Sequence, residues 1–351
     1  MEVKRHSIFK SALRAFFSTL SGIVGAIVAL FLVGMAVAAF SKVQKVGDKT
    51  ECVIVADAEG NRERLSDFSP AILRVNIHGI IGLKTLNAQT IESQLLDSRI
   101  GLLKNDRVKG ILLHIDSPGG TVTDSYQIYS KLLDYKIKYK VPIYAYVNGM
   151  CASGGMMIAC AADKIFSSPV GTIGSVGVKM GPLFNVSELI EKYGIKQKTF
   201  TKGKDKDMLN PFRHWVPEES RSVEDMMNYN YKMFVNIVAN ARPKITESAL
   251  INQYGARIFD PDRAQDYGFI DAKGSYSQAL SELVKAADIN EKYQVFALKF
   301  LSSGFSKFLD NQGPLFSGKI QHEISIPHAL PSELMNRPLY LYLPASSLFE
   351  P

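Results

Sequence analysis

The sequence predicts an α/β protein with a mainly parallel sheet, helices on its faces, and one membrane-spanning helix ahead of it. Three observations carry this reading. From Ala71 onward, β-branched runs alternate with segments of helical period, the pattern of parallel strands covered by the helices that connect them. Two glycine-rich turns each follow directly on a strand-like run. Positions 15 to 41, 27 residues between Arg14 and Lys42, carry no charge.

As a helix, that uncharged stretch rises roughly 40 Å, enough to cross a hydrocarbon core of about 30 Å with some tilt. It is too long for the apolar region of a cleaved signal peptide, about 7–15 residues, although Ala36-Val37-Ala38 offers small residues at a cut site. A retained anchor over 16–40 is therefore expected. Lys4, Arg5, Lys10 and Arg14 precede it and Lys42 and Lys45 follow, which places residues 1–15 in the cytoplasm and the bulk of the chain outside it, as at a bacterial-type inner or plasma membrane.

Residues 41–68 are polar, lack periodicity and read as a stalk. AILRVNIHGIIG is a strand, 88–104 has helical spacing, and GILLHID is a second strand that ends at Ser117-Pro118-Gly119-Gly120. YQIYSKLLDYKIKYK then reads as a helix, PIYAYVNG as a strand and SGGMMIACAAD as a short apolar helix. A long amphipathic helix opens at Pro217. These elements make one catalytic domain over 69–288, followed by a proline-containing extension, 289–351, without a regular pattern.

The 41 basic and 34 acidic residues give +7, of which +3 falls in the first fourteen positions. The excess suits a membrane surface. Nucleic-acid binding is not expected, because no basic element is interleaved with base-reading side chains. Cys52, Cys151 and Cys160 are too few and scattered for a disulfide framework or a four-ligand zinc site, and no metal or cofactor is expected. Cys151, two positions before Ser153, is a rival nucleophile, but small buried thiols are usually inert.

The chemistry gathers at the two glycine turns, HIDSPGGTVTD and VNGMCASGGMMIACAAD. Ser153 stands where the second turn enters a helix. There a serine is either a helix cap or a nucleophile beside orphan N–H groups. A tetrahedral intermediate needs two backbone donors about 3 Å from its oxyanion; Gly154 is one candidate, and Gly119 or Gly120 of the first turn is the other.

SPGG, then ASGG about 35 positions later, then AADKIFSSPVGTIGSVGV, GKDKDMLNPFRHW and ARIFDPDRAQDYGFID, resemble in that order the signal peptide peptidase A family of serine–lysine proteases, the SppA/SohB-like group, over about residues 70–285. The resemblance implies a Clp protease/crotonase-like fold, a repeated β-β-α superhelix. It also implies a lysine base, which falls on Lys206, 53 positions after Ser153, and a lysine-orienting serine, which falls on Ser175. The family pattern usually has aromatic residues where this chain has Met156 and Met157.

A lysine base must be neutral, and lowering its pKa from about 10.4 to about 7 takes roughly 4.6 kcal/mol of differential destabilisation, within reach of burial. If the segment is extended, Asp205 and Asp207 face away from Lys206, while Lys202 and Lys204 remain rivals on its own face. The six histidines leave none between 115 and 213, which makes a Ser-His-Asp triad awkward, with only His114 or His214 to supply it.

The expected function is a membrane-anchored serine endopeptidase acting on hydrophobic peptides, signal-peptide remnants among them. Extended substrate would add as a strand beside the glycine turns, with Met156, Met157 and Val176 as pocket residues or core. The resemblance further implies a homo-oligomer, such as an octamer, in which neighbouring protomers complete each site. The alternatives are a crotonase-like acyl-CoA enzyme and an inactive membrane scaffold of the same fold.

Overall fold

The computed structural model describes residues 8–43, 50–300 and the backbone of 339–341. It divides into two compact units, 1–49 and 50–351.

In the first unit, α1 (Ile8–Val43) runs 36 residues. Its apolar span Leu13–Gly34 is long enough to cross a membrane. The Ser18 and Thr19 hydroxyls both donate to the Ala15 carbonyl, at 3.3 and 2.8 Å. These hydroxyls are thus satisfied within the helix, as a lipid environment demands.

The second unit opens with β1 (Thr50–Val55), β2 (Ala71–His78), α2 (Ala88–Asp97), β3 (Val108–Ser117), β4 (Gly119–Thr121) and α3 (Val122–Tyr139). It continues with β5 (Ile143–Ala152), α4 (Gly154–Ala159), β6 (Lys164–Ser167), β7 (Thr172–Gly174), α5 (Ser187–Lys192) and α6 (Arg221–Ala241). After these come α7 (Glu247–Ala249), β8 (Ile258–Phe259), α8 (Pro261–Tyr267), β9 (Ala272–Lys273), α9 (Tyr276–Ala286), β10 (Gln294–Phe300) and β11 (Leu339–Leu341).

The main sheet has the order β1-β10-β2-β3-β5-β6-β9, with β7 beside the end of β5 and β8 beside β7. From β10 to β9 every pairing is parallel. Both faces are covered, and the strands divide their side chains with period two. Leu73, Val75, Ile77, Ile111, Leu113 and Ile115 enter a large core with α2, α3, α4 and α6. Ile72, Leu112, Tyr144, Tyr146 and Phe166 enter a smaller one under Ala279, Leu280 and Leu283 of α9.

Local chemistry sets the helix ends. Asn87 and Thr90 form a capping box at α2. Thr121 caps α3 through the Asp124 N–H, and Lys140 in the left-handed region ends it shortly before Pro142. The helix expected to open at Pro217 starts at Arg221, because residues 217–220 are spent on a turn.

Two stretches read as irregular carry strands. β1 lies inside the expected stalk and pairs antiparallel with β10, from Thr50↔Phe300 to Val55↔Val295. β10 lies inside the expected extension and sits between β1 and β2. Pairing across some 250 positions leaves no local periodic signal, so the sequence pattern missed it.

Candidate active site

β5 and α4 meet at Ser153, whose backbone is forced to φ 55°, ψ −116°. For a residue with a Cβ such a conformation costs about 1–3 kcal/mol and must be held by its surroundings. It is held: the Ser153 N–H donates to the Gly174 carbonyl at the end of β7 (2.9 Å), and its own carbonyl accepts the Met157 N–H (3.1 Å). The side chain makes no cap bond to α4. Instead Oγ points towards the Gly177 carbonyl at 3.5 Å. Of the two readings of this serine, the cap is therefore the one the geometry rejects.

The first glycine turn approaches from β3. Ser117, fully buried, donates to the Gly79 carbonyl (2.7 Å) and accepts the Gly119 N–H (3.1 Å). The Gly119 carbonyl accepts from the Ile81 N–H at 2.8 Å, and the Thr121 N–H donates to the Ile81 carbonyl at 3.0 Å. Since backbone groups alternate along a strand, the N–H and C=O of Gly120 face the opposite edge of β4. Gly120 has to be glycine, for a Cβ there would sit 1.8 Å from the Ile81 oxygen. Helix α4 closes on the same turn, its Gly155 leaving only 3.1 Å between a notional Cβ and the Ser117 oxygen. The N–H of Gly154, in the first turn of α4, has no acceptor within the helix.

Ser175 adjoins this group. It is buried, also has positive φ (56°), and its N–H donates to the Arg257 carbonyl at 2.7 Å. It follows directly the Gly174 carbonyl that pins Ser153. The structure thus gathers Ser153, Gly154, Gly119, Gly120 and Ser175 around the ends of β4, β5 and β7.

Lys206 is not gathered with them. It is exposed, as are Lys202 and Lys204, and among the described residues no hydrogen bond or ion pair joins it to Ser153. Nor is its segment extended: residues 204–209 form turns, with Asp205 at φ 60°. Arg213 organises them, bonding Asp207 at 2.9 Å and Glu219 at 2.7 Å. The Arg213 and Asn210 hydrogen bonds hold the Asp207 carboxyl below its usual range. Lys206 lines an open depression of about 220 Å³ with Thr201, Asp205, Met208 and Val216. Phe184, Tyr193, Phe200, Phe212 and Trp215 are exposed on the surrounding segment.

The rival groups have other occupations. Cys151 is fully buried, and its burial pushes the thiol far above the reactive range; Cys160 is pushed up to about 12 for the same reason. His114 Nδ1 lies 2.6 Å from His78 Nε2 and its ring packs against Tyr146 and Tyr276. Burial, with Arg74 and His78 nearby, lowers its pKa to about 3. His214 meets Ser187 and Glu191. Met156, Met157 and Val176 belong to the core. Sequence reasoning overlooked Ser117, Ile81 and the Gly174 and Gly177 carbonyls, which act through backbone or turn geometry that residue type does not advertise.

Residues 136–290 match the model of Peptidase family S49, and residues 63–171 that of Clp protease. A putative signal peptide peptidase SppA of Enterococcus faecium is 32% identical over 69% of this chain and 71% of its own length. The chain belongs to Peptidase family S49. A putative protease of Methanocaldococcus jannaschii is 34% identical over 54% of this chain and 60% of its own. The chloroplastic serine protease SPPA of Arabidopsis thaliana is 28% identical over 66% and 34%. The S49 chain accordingly has a Clp protease-like fold and is a serine peptidase of the SppA/SohB-like group. Its N-terminal apolar helix fits a membrane anchor, and its fold suits peptide substrates and oligomeric assembly.

Proposed function

We propose that this S49 peptidase is a membrane-anchored endopeptidase for hydrophobic peptides, signal-peptide remnants among them, working through Ser153 and Lys206. Ser153 Oγ attacks the scissile carbonyl carbon as its proton passes to Lys206 Nζ. The oxyanion is received by the N–H of Gly154 and by that of Gly120, favoured over Gly119 because the Gly119 N–H already serves Ser117. Collapse expels the amine, which takes the proton from Lys206, and water then releases the acyl group from Ser153 by the reverse sequence. Ser175, beside the carbonyl that pins Ser153, orients the lysine amine.

The carrying observation is Ser153 itself: a strained serine at a strand-to-helix turn, with its hydroxyl withheld from capping. The exposed Lys206 and its apolar surroundings support a site completed by a neighbouring copy. That copy would bury the amine, and desolvation is what brings a lysine towards neutrality. In this arrangement residues 1–15 lie in the cytoplasm, 16–40 cross the membrane and the peptidase unit works outside.

In full-length protein, Ser153→Ala and Lys206→Ala should each lower turnover of an apolar peptide by about a thousandfold or more with unchanged circular dichroism. Retained turnover in Ser153→Ala removes the nucleophile. Retained turnover in Lys206→Ala alone removes the base and leaves the serine.

A further inference from the structure

Strand β5 changes neighbours on its way to Ser153. From Tyr144↔Lys164 to Val147↔Ser167 it pairs with β6, and from Met150↔Thr172 to Ala152↔Gly174 with β7. Its other side pairs with β3, and there the register slips: Ile115 faces Val147, but Ser117 already faces Cys151. Two steps along β3 are thus matched by four along β5, a bulge at Asn148-Gly149-Met150 of the kind that re-aims a side chain beside an active site. The strand reaches Ser153 directly from this bulge.

The bulge is gripped from both sides. Ser168, which follows β6, donates its N–H to the Val147 carbonyl (2.9 Å) and its hydroxyl to the Asn148 carbonyl (2.7 Å). From β3, the Asp116 carboxylate accepts the Met150 N–H at 2.9 Å. That carboxylate occupies the space over the turn, for a Cβ on Gly149 would lie 2.5 Å from its Oδ1. Asp116 is itself held, because its carbonyl accepts the Gly79 N–H at 2.9 Å while the adjoining Ser117 bonds Gly79 and Gly119. One residue therefore ties the strand that delivers Ser153 to the turn that delivers Gly120. Asp116 is exposed, so apolar burial does not account for it, whereas a charged acceptor fixes the direction of an N–H more firmly than water does.

We propose that Asp116 is a positioning residue, whose carboxylate sets the bulge of β5 and through it the placement of the Ser153 hydroxyl relative to the Gly120 N–H. The inference rests on the peptidase reading above and deepens it. A misplacement on the order of 1 Å costs about a hundredfold in rate. The oxyanion exists only once attack has begun, so a shift between nucleophile and donor acts on the transition state and spares the binding of peptide.

In full-length protein, Asp116→Ala should lower kcat for an apolar peptide about tenfold or more at unchanged KM. Asp116→Asn keeps an oxygen that accepts the Met150 N–H and should recover most of that loss. Gly149→Ala pushes aside the carboxylate, a side-chain end free to swing, and should reproduce the loss. Added to Asp116→Ala, where the space is empty, it should cost nothing more, as for two changes acting through one contact. A readout independent of turnover is amide hydrogen exchange over 148–153, which should quicken roughly tenfold in Asp116→Ala and stay near the parent rate in Asp116→Asn. Unchanged kcat in Asp116→Ala, equal losses in the Ala and Asn variants, or additive losses in Asp116→Ala/Gly149→Ala overturns the proposal. A rise in KM in place of the kcat loss overturns it by making Asp116 a substrate contact, and loss of cooperative melting does so by making it a determinant of the fold. Failure of the peptidase reading would appear separately, as turnover surviving Ser153→Ala, while the exchange rates still decide whether Asp116 holds the bulge.

Discussion

Residues with forced backbones carry the site. Ser153 and Ser175 both have positive φ, where a side chain is costly, and both are pinned by backbone carbonyls, of Gly174 and Arg257. Gly120 shows the converse, a place where any side chain is refused. Gly120→Ala sets a Cβ 1.8 Å from the Ile81 oxygen, and neither party is a flexible side-chain end that could swing aside. We expect a loss of about 1–3 kcal/mol, as for other overpacked sites, read as a lowered urea midpoint. Peptide turnover should fall with it, because β4 must leave Ile81 to make room. A variant with unaltered midpoint and turnover would mean that this contact relaxes at no cost.

Elements differ in how plainly the sequence announces them. β2, β3 and β5 were legible because parallel strands covered on both faces become continuous apolar runs. The turns after β3 and β5 were legible because glycine pairs punctuate them. β1 and β10 were not, since their strand partners lie more than 200 positions away along the chain. The loop around Lys206 was misread for a related reason. Its turn is set by Arg213 clasping Asp207 and Glu219, a tertiary arrangement that an alternation rule cannot see. The domain boundary at 288 can be tested directly. A chain stopped there lacks Val295, Phe296, Ala297 and Leu298, all buried. At about 1.5–3 kcal/mol for each large side chain, that loss rivals the whole net stability of a domain, about 5–15 kcal/mol. The truncated protein should bind a hydrophobic dye and unfold without a cooperative transition, whereas a chain stopped after Phe300 should keep one. Cooperative melting of the shorter chain would restore the boundary at 288.

For the whole molecule, the separation of an exposed Lys206 from a buried Ser153 becomes a question of assembly. If each site takes its serine from one copy and its lysine from a neighbour, mixing Ser153→Ala and Lys206→Ala chains rebuilds some intact pairs. Random association of equal amounts leaves about a quarter of the sites with both groups, since each is independently present half the time, as in a head-to-tail ring. Co-expressed or co-refolded mixtures should regain activity of that order, while each variant alone stays silent. A silent mixture would place both groups in one chain.

The position of β1 also dictates an order of events during biosynthesis. Among the described residues its only strand neighbour in the sheet is β10, so residues 50–55, made soon after the apolar helix, stay without that ladder until residues 295–300 have been synthesised. The N-terminal segment can thus commit to a bilayer while the sheet behind it is still open. Until the ribosome finishes, that waiting strand is the obvious foothold for a chaperone or for a mispaired neighbour.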